Sequence, residues 1–318
     1  MVNILTIIST FAKLPKISQA MQNIEQERHS WIKFSILLTY VLVFALLSIL
    51  GGSDNSNLNF DNPKTLLILK FFQGITVIII FILPAFLIAG FWTKTRIHYL
   101  GITTKPSLLT ILIAASAIVI ANPMINWLTE INQHMQLPEA FSGIETWMKN
   151  SEERATILTE AFTKGTSKGT LILNLVVIAF LAALSEELFF RGLFQKIAIE
   201  CFKNKHVGVW FVAIIFSAFH MQFYGFLPRM LMGAYLGYLF LWSGSLWPGI
   251  LTHFVNNGTY VLFTWLANRG VVTMDVDKIG MEKNQTILVI ASSIIVIISM
   301  ILVYRIEKKR KRLDGFAS

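Results

Sequence analysis

Eight stretches of this chain are apolar for about as long as a helix needs to cross a bilayer: residues 32–50, 66–92, 107–127, 171–194, 208–222, 227–243, 246–265 and 286–304. Lipid offers no partner to an unpaired backbone N–H or C=O, so a run of about 20 such residues is compelled to be helical. This constraint predicts an all-α, polytopic membrane protein with about eight transmembrane helices. Composition agrees, since 54% of the 318 residues are hydrophobic, 14% are charged and mean hydropathy is +0.62. Soluble globular domains lie outside that range. Pro84 in the second run predicts a kink or tilt.

Basic residues are retained preferentially on the cytoplasmic side, so their distribution orients the spans. With the N-terminus inside, the cytoplasmic set is Lys13, Lys16, Arg28 and Lys33, then Lys94, Arg96 and Lys105, then Arg191, Lys196, Lys203 and Lys205, and finally the tail RIEKKRKR over Arg305–Arg312. The opposite side collects most of the acids, among them Asp54, Asp61, Glu130, Glu145, Glu152, Glu160 and Asp275. Both termini are therefore expected to be cytoplasmic. The net charge of +9 is then a matter of topology and of anionic head groups; the lipid bilayer is an expected partner and nucleic acid is not. The apolar patch Ile4–Ile8 has neither a charged segment before it nor a cleavage site, so it is expected to lie on the inner surface rather than to be removed. Cys201 is the only cysteine, which rules out an intrachain disulfide. The pattern suits a prokaryotic plasma membrane.

The chain divides into an N-terminal membrane region over 1–165 with three spans and an outer loop, a four-helix core over 166–265, and a last part over 266–318 with the final span and the basic tail. Within Thr129–Thr170, apolar residues at Ile144, Trp147, Met148, Ile157, Leu158 and Phe162 predict one or two amphipathic helices that cap the bundle from outside. No internal repeat is present, which speaks against a transporter built from inverted halves.

Ionisable groups inside a span cost at least about 2.5 kcal/mol each, so each asks for a reason. In AFLAALSEELFFRGLF, Glu187 and Arg191 are four apart and share a helix face, with the acid in the favourable N-terminal place. Glu186 points about 100° away from that pair. The alternative is that Arg191 reaches back to the inner interface and the acids mark the end of the span. His220 follows Phe216 by four in FVAIIFSAFH; the alternative role is that of a hydrogen-bonded core histidine. His253 and Asn257, again four apart in LTHFVNNGTY, put imidazole and carboxamide on one face, where both can donate to one oxygen; Asn256 lies on another face, and interhelical hydrogen bonding is the competing role. Arg229 precedes Gly233 and Gly237, whose spacing permits close helix approach. It either neutralises an acid of the first cluster or sits at the outer interface.

Taken in order, EExxxR at Glu186–Arg191, FxxxH at Phe216–His220 and HxxxN at His253–Asn257 resemble the CPBP family of CAAX prenyl proteases and bacteriocin-processing or self-immunity proteins, also called the Abi family. The likeness covers Leu171–Phe263, and no motif position is substituted. It implies an intramembrane endopeptidase of eight helices with a polar cavity open to one side. Glu186 would then be the catalytic glutamate, with Glu187, Arg191, His220, His253 and Asn257 as the other site members. The implied partner is a peptide or protein substrate, lipidated or membrane-embedded, although nothing in the sequence reports a prenyl-binding groove.

Amide hydrolysis needs a base for water, donors for the oxyanion and an acid for the leaving amine. Glu186 suits the base, His220 the orientation of the water and the return of a proton, and His253 with Asn257 the oxyanion. No cofactor or metal is expected on this reading. The alternative is zinc held by Glu186, His220 and His253, with Glu187 as base; the absence of an H-E-x-x-H helix favours the metal-free route. Depth along the spans places the three groups in the inner leaflet, with a cavity open to the cytoplasm. Two further function classes are a proton- or ion-coupled transporter and a non-catalytic immunity or scaffold protein.

Overall fold

Proline and asparagine set the starts of several helices in the computed structural model, which describes residues 25, 27–47, 59–273 and 278–314. Asn62 caps helix α2 by accepting the Lys64 N–H, with Pro63 as the first helical residue. Asn204 accepts the N–H groups of His206 and Val207 at the start of α7. Both satisfy backbone donors that no intrahelical carbonyl can reach. The main helices are α1 Glu27–Leu47, α2 Pro63–Trp92, α3 Leu108–Ile120, α4 Asn122–Gln133, α5 Ser142–Thr163, α6 Lys168–Phe202, α7 Lys205–Phe219, α8 Phe226–Ser243, α9 Trp247–Asn268 and α10 Thr286–Asp314. No strand occurs among the described residues. The surface-lying stretch expected over Ile4–Ile8 falls outside them.

Four of these helices, α1, α2, α6 and the Thr286–Arg312 part of α10, are long and apolar enough to cross a membrane, and a fifth span results if α3 and α4, bent by 49° at their junction, count as one. The protein is thus an all-helical integral membrane protein. Three of the eight expected runs fall on α7, α8 and α9, which do not reach that standard. The reason is position: α7 has only 15 residues, α9 carries polar site residues, and α8 has no exposed large apolar side chain among the described residues. α8 faces other helices and α7 and α9 expose only a few apolar residues, such as Ile214 and Leu262, whereas α1, α2 and α10 turn residues such as Leu47, Phe71 and Ile287 outward, each more than half exposed. An apolar belt of that extent is what lipid covers.

The deviation expected at Pro84 takes the form of a π-wound turn over Ile78–Ile82, just before the proline, inside a helix that continues to Trp92. A proline removes one backbone donor, and a wider turn absorbs the mismatch. Helix α6 is π-wound twice, at Leu175–Leu181 and at Glu187–Gln195. The second stretch is the centre of the core: Phe189, Phe190, Leu193 and Phe194 are fully buried, with Phe34 and Leu37 of α1 and Phe81, Ala85 and Ala89 of α2 in the same cluster. At one end of the bundle Arg310 ties the tail down, donating to the carbonyls of Lys105 at 2.6 Å and Ser243 at 3.0 Å. Glu307 beside it is fully buried and accepts from Thr110 Oγ1 at 2.7 Å and Arg310 Nε at 2.7 Å.

The connection between α4 and α6 forms a single long amphipathic helix, α5, preceded by a short 3-10 turn at Glu139–Phe141. Lys164 after it pairs with Asp61 at 2.7 Å, and Asn174 and Asn268 donate to the carbonyls of Phe162 and Thr163, both at 3.0 Å. Its middle rests on the turn between α7 and α8: Trp147 meets the Phe223 ring at 5.1 Å and Glu152 accepts the Tyr224 N–H at 3.2 Å.

Candidate active site

Helix α6 brings Glu186 and Glu187 to the point where α7 ends and α9 passes. Glu187 is fully buried and paired with Arg191, itself 1% exposed, through Nη1 at 2.9 Å. Arg191 therefore belongs to the core and does not reach an interface. Its Nη2 donates to the Gly233 carbonyl at 3.0 Å, and its guanidinium lies over the Phe216 ring at 4.4 Å. One turn further along α6, Gln195 Nε2 donates to the Gly237 carbonyl at 2.9 Å. The two spaced glycines of α8 thus serve both close helix approach and acceptance of hydrogen bonds from α6.

His253 of α9 is buried, and its Nδ1 lies 3.1 Å from Glu187 Oε1. An ionised carboxylate only accepts, so Nδ1 carries the proton and Nε2 is turned the other way. That nitrogen lies 3.9 Å from Glu186 Oε2. His220, at the C-terminal end of α7, has Nδ1 2.8 Å from the Phe216 carbonyl, which also only accepts. Its Nε2 lies 3.8 Å from the same Glu186 Oε2. Phe216 accordingly holds two site members, His220 through its carbonyl and Arg191 through its ring.

Glu186 Oε2 makes no hydrogen bond to protein although it is buried, and the same holds for Glu187 Oε2. Separations of 3.8 and 3.9 Å exceed a hydrogen bond and match the reach of one bridging water. Both imidazoles hold their Nδ1 on fixed acceptors and present Nε2 inward, an orientation that zinc ligands also use. As placed, however, no group of three His, Cys, Asp or Glu side chains closes to metal-holding geometry among the described residues.

Asn257 does not join this centre by hydrogen bond. Its Nδ2 donates to the Ile178 carbonyl at 3.4 Å, in the first π-wound stretch of α6, and its Oδ1 accepts from Asn256 at 3.1 Å. Asn256, read from sequence as lying on another face, is the neighbour that orients Asn257. Sequence reasoning also missed Gly249: a Cβ there would lie 3.0 Å from Glu187 Oε2, so a side chain would press on that carboxylate.

Toward the tail, α6 is buried at every position from Glu187 to Gln195. The partly exposed residues near the site are Glu186, Phe254–Asn257 and, next to α4 and α5, His220–Leu227. A cavity of about 330 Å³ lies there, with Gln133, Glu145, Glu152 and Tyr224 in its wall.

A helical membrane protein in which two imidazoles converge on one glutamate is the class that fold and geometry define. Residues 168–259 match the family described as "Type II CAAX prenyl endopeptidase Rce1-like", so the resemblance read from the three motifs holds, over nearly the segment expected. The match covers under a third of the chain. A relative is the "Uncharacterized protein YpbD" of Bacillus subtilis (strain 168), 26% identical over 91 residues, which is 27% of this chain and 43% of that protein. The matched part thus spans less than half of the relative's length. No solved structure matches.

Proposed function

We propose that this protein is an intramembrane endopeptidase that hydrolyses peptide bonds of membrane-associated or C-terminal peptide substrates, lipidated or embedded in the bilayer, with a water activated by Glu186. The observation that carries the reading is the approach of two Nε2 atoms, from α7 and α9, to a single otherwise unbonded carboxylate oxygen of α6. The likeness of 168–259 to type II CAAX prenyl endopeptidases supports the same chemistry.

Water between Glu186 Oε2 and His220 Nε2 gives up a proton to the carboxylate as its oxygen attacks the peptide carbonyl. The carbonyl oxygen gains the negative charge, and His253 Nε2 donates to it when that nitrogen is protonated; such a donor contributes roughly 3 kcal/mol in other proteases. Collapse of the intermediate breaks the C–N bond, and the proton taken up by Glu186 passes, directly or by way of His220, to the leaving amine. Glu187 and Arg191 hold His253 in place. Asn257 would aid the oxyanion only after leaving the Ile178 carbonyl. On this reading no cofactor takes part, and zinc is the competing version.

The full reading has eight membrane crossings, both termini cytoplasmic, a catalytic core over 166–265, and a prokaryotic plasma membrane as location. Helices α7, α8 and α9 then cross inside a ring of the more apolar helices. The test is purified protein with a quenched peptide library, comparing wild type with Glu186→Ala, with and without chelator. Cleavage by wild type alone, unaffected by chelator, supports the reading; equal cleavage by both proteins sinks it, and loss on chelation restored by zinc replaces the metal-free route.

A further inference from the structure

The segment that follows His220 is held in a conformation its residues do not favour. Met221 has φ +54°, a left-handed backbone that costs a side-chain-bearing residue and is seen where surrounding contacts enforce it. The enforcing contacts converge from α8. Arg229 Nη1 donates to the Gln222 carbonyl at 3.0 Å and Nη2 donates to Gln222 Oε1 at 3.1 Å, a two-pronged grip that only a guanidinium makes. Gly225 completes the cradle, since a Cβ there would lie 3.0 Å from Arg229 Nη2. Ser217 Oγ donates to the Phe226 carbonyl at 2.7 Å and closes the base of the turn.

The turn is short, so what fixes Gln222 fixes His220 two residues earlier. The ring of His220 has one protein hydrogen bond, to Phe216 in its own helix, which sets its rotation but not the direction in which the end of α7 points. That direction depends on the turn. The charges around Arg229 fit the same role: Glu186 of the site and Glu152 of α5 act on it electrostatically, while its hydrogen bonds go to neutral oxygens of Gln222. Glu152 in turn accepts the Tyr224 N–H, so the turn that Arg229 grips is also tied to α5.

We propose that Arg229 is a positioning residue for the reaction proposed above: by gripping Gln222 it holds the strained turn after α7 and so aims His220 Nε2 at Glu186. The inference rests on the hydrolytic reading.

The test uses full-length protein and a cleaved reporter peptide. Arg229→Gln is expected to lower kcat at least tenfold with KM within twofold of wild type. Gly225→Ala, which displaces the guanidinium, is expected to do the same, and Arg229→Lys, with one prong, to recover only part of the loss. The deciding measurement is a double-mutant cycle with His220→Gln: if Arg229 acts through His220, adding Arg229→Gln to that variant costs no more than twofold. A full and independent loss in the His220→Gln background overturns the proposal, as does an unchanged kcat in Arg229→Gln. Wild type no more active than Glu186→Ala defeats the hydrolytic reading instead, which separates the two failures.

Discussion

Glu187 Oε1 receives both Arg191 Nη1 at 2.9 Å and His253 Nδ1 at 3.1 Å, so one carboxylate joins a partner four residues away to a partner 66 residues away. The carboxylate next to it, Glu186, is left without a fixed partner at Oε2. Adjacent acids on one helix thus have opposite surroundings, one fully paired by protein and one with a buried oxygen that no protein donor meets.

Glu186→Gln is expected to lower peptide hydrolysis by at least about 100-fold, the usual scale for loss of a general base. The thermal midpoint should stay level or rise, because an unpartnered buried carboxylate becomes a neutral amide. Initial rates and a melting curve on the same preparation check both. A rate within a few-fold of wild type would falsify the assignment.

Removal of Arg191 leaves Glu187 buried with His253 as its remaining partner. Arg191→Ala is expected to cost about 3–5 kcal/mol of stability, the usual result of breaking a buried pair from one side. Replacing both members, as Glu187→Leu with Arg191→Met, should recover much of that stability and none of the activity. Denaturant titration in detergent, with a rate assay alongside, separates the two effects.

Gly249→Ala would put a Cβ 3.0 Å from Glu187 Oε2. The helix backbone cannot yield readily, so the carboxylate moves and His253 moves with it. A stability loss of about 1–3 kcal/mol is expected for such overpacking, with a lower kcat. Unchanged kinetics would mean that the carboxylate can shift without taking the imidazole along.

The tie between Asp61 and Lys164 gives a pH dependence outside the membrane. The Lys164 hydrogen bond and charge hold the Asp61 carboxyl below its ordinary value. A carboxyl lowered in the folded protein stabilises fully above its unfolded value, and the contribution is lost as pH falls through the folded one. Amide exchange at the C-terminal end of α5, taken relative to the intrinsic rate at each pH, should therefore be flat from neutral pH to the top of the usual carboxylate range and rise only below it. Asp61→Asn should show the raised level at every pH. Exchange that increases already near pH 6 in wild type would point to another group.

Much of the site was legible because helix spacing survives in the fold. The i,i+4 relation of Glu187 to Arg191 and of Phe216 to His220 appears directly as contact. At Asn257 the contact is the competing one named from sequence, an interhelical hydrogen bond to the Ile178 carbonyl, in a π-wound stretch; π winding leaves no mark in apolar periodicity. The link between His253 and Glu187, the carbonyls of Gly233 and Gly237, and the space at Gly249 all depend on which helices touch, which no single segment encodes. The span count differs for a related reason. Hydropathy finds apolar runs, whereas length and apolarity of the formed helices together single out four, or five with the bent pair; α7 and α8 have 15 and 18 residues.

The hydrogen bond from His220 to Phe216 has a consequence for controls in any assay. The Phe216 carbonyl is among the last four of α7, which the regular helix pattern leaves without a donor; those of Ser217 and Ala218 take the His220 and Met221 N–H groups, and the imidazole acts as the stopper for that of Phe216. An alanine at 220 would uncork the helix as well as remove the imidazole, leaving the Phe216 carbonyl without its side-chain donor. A glutamine, whose amide reaches a comparable distance, is the fairer inactive reference.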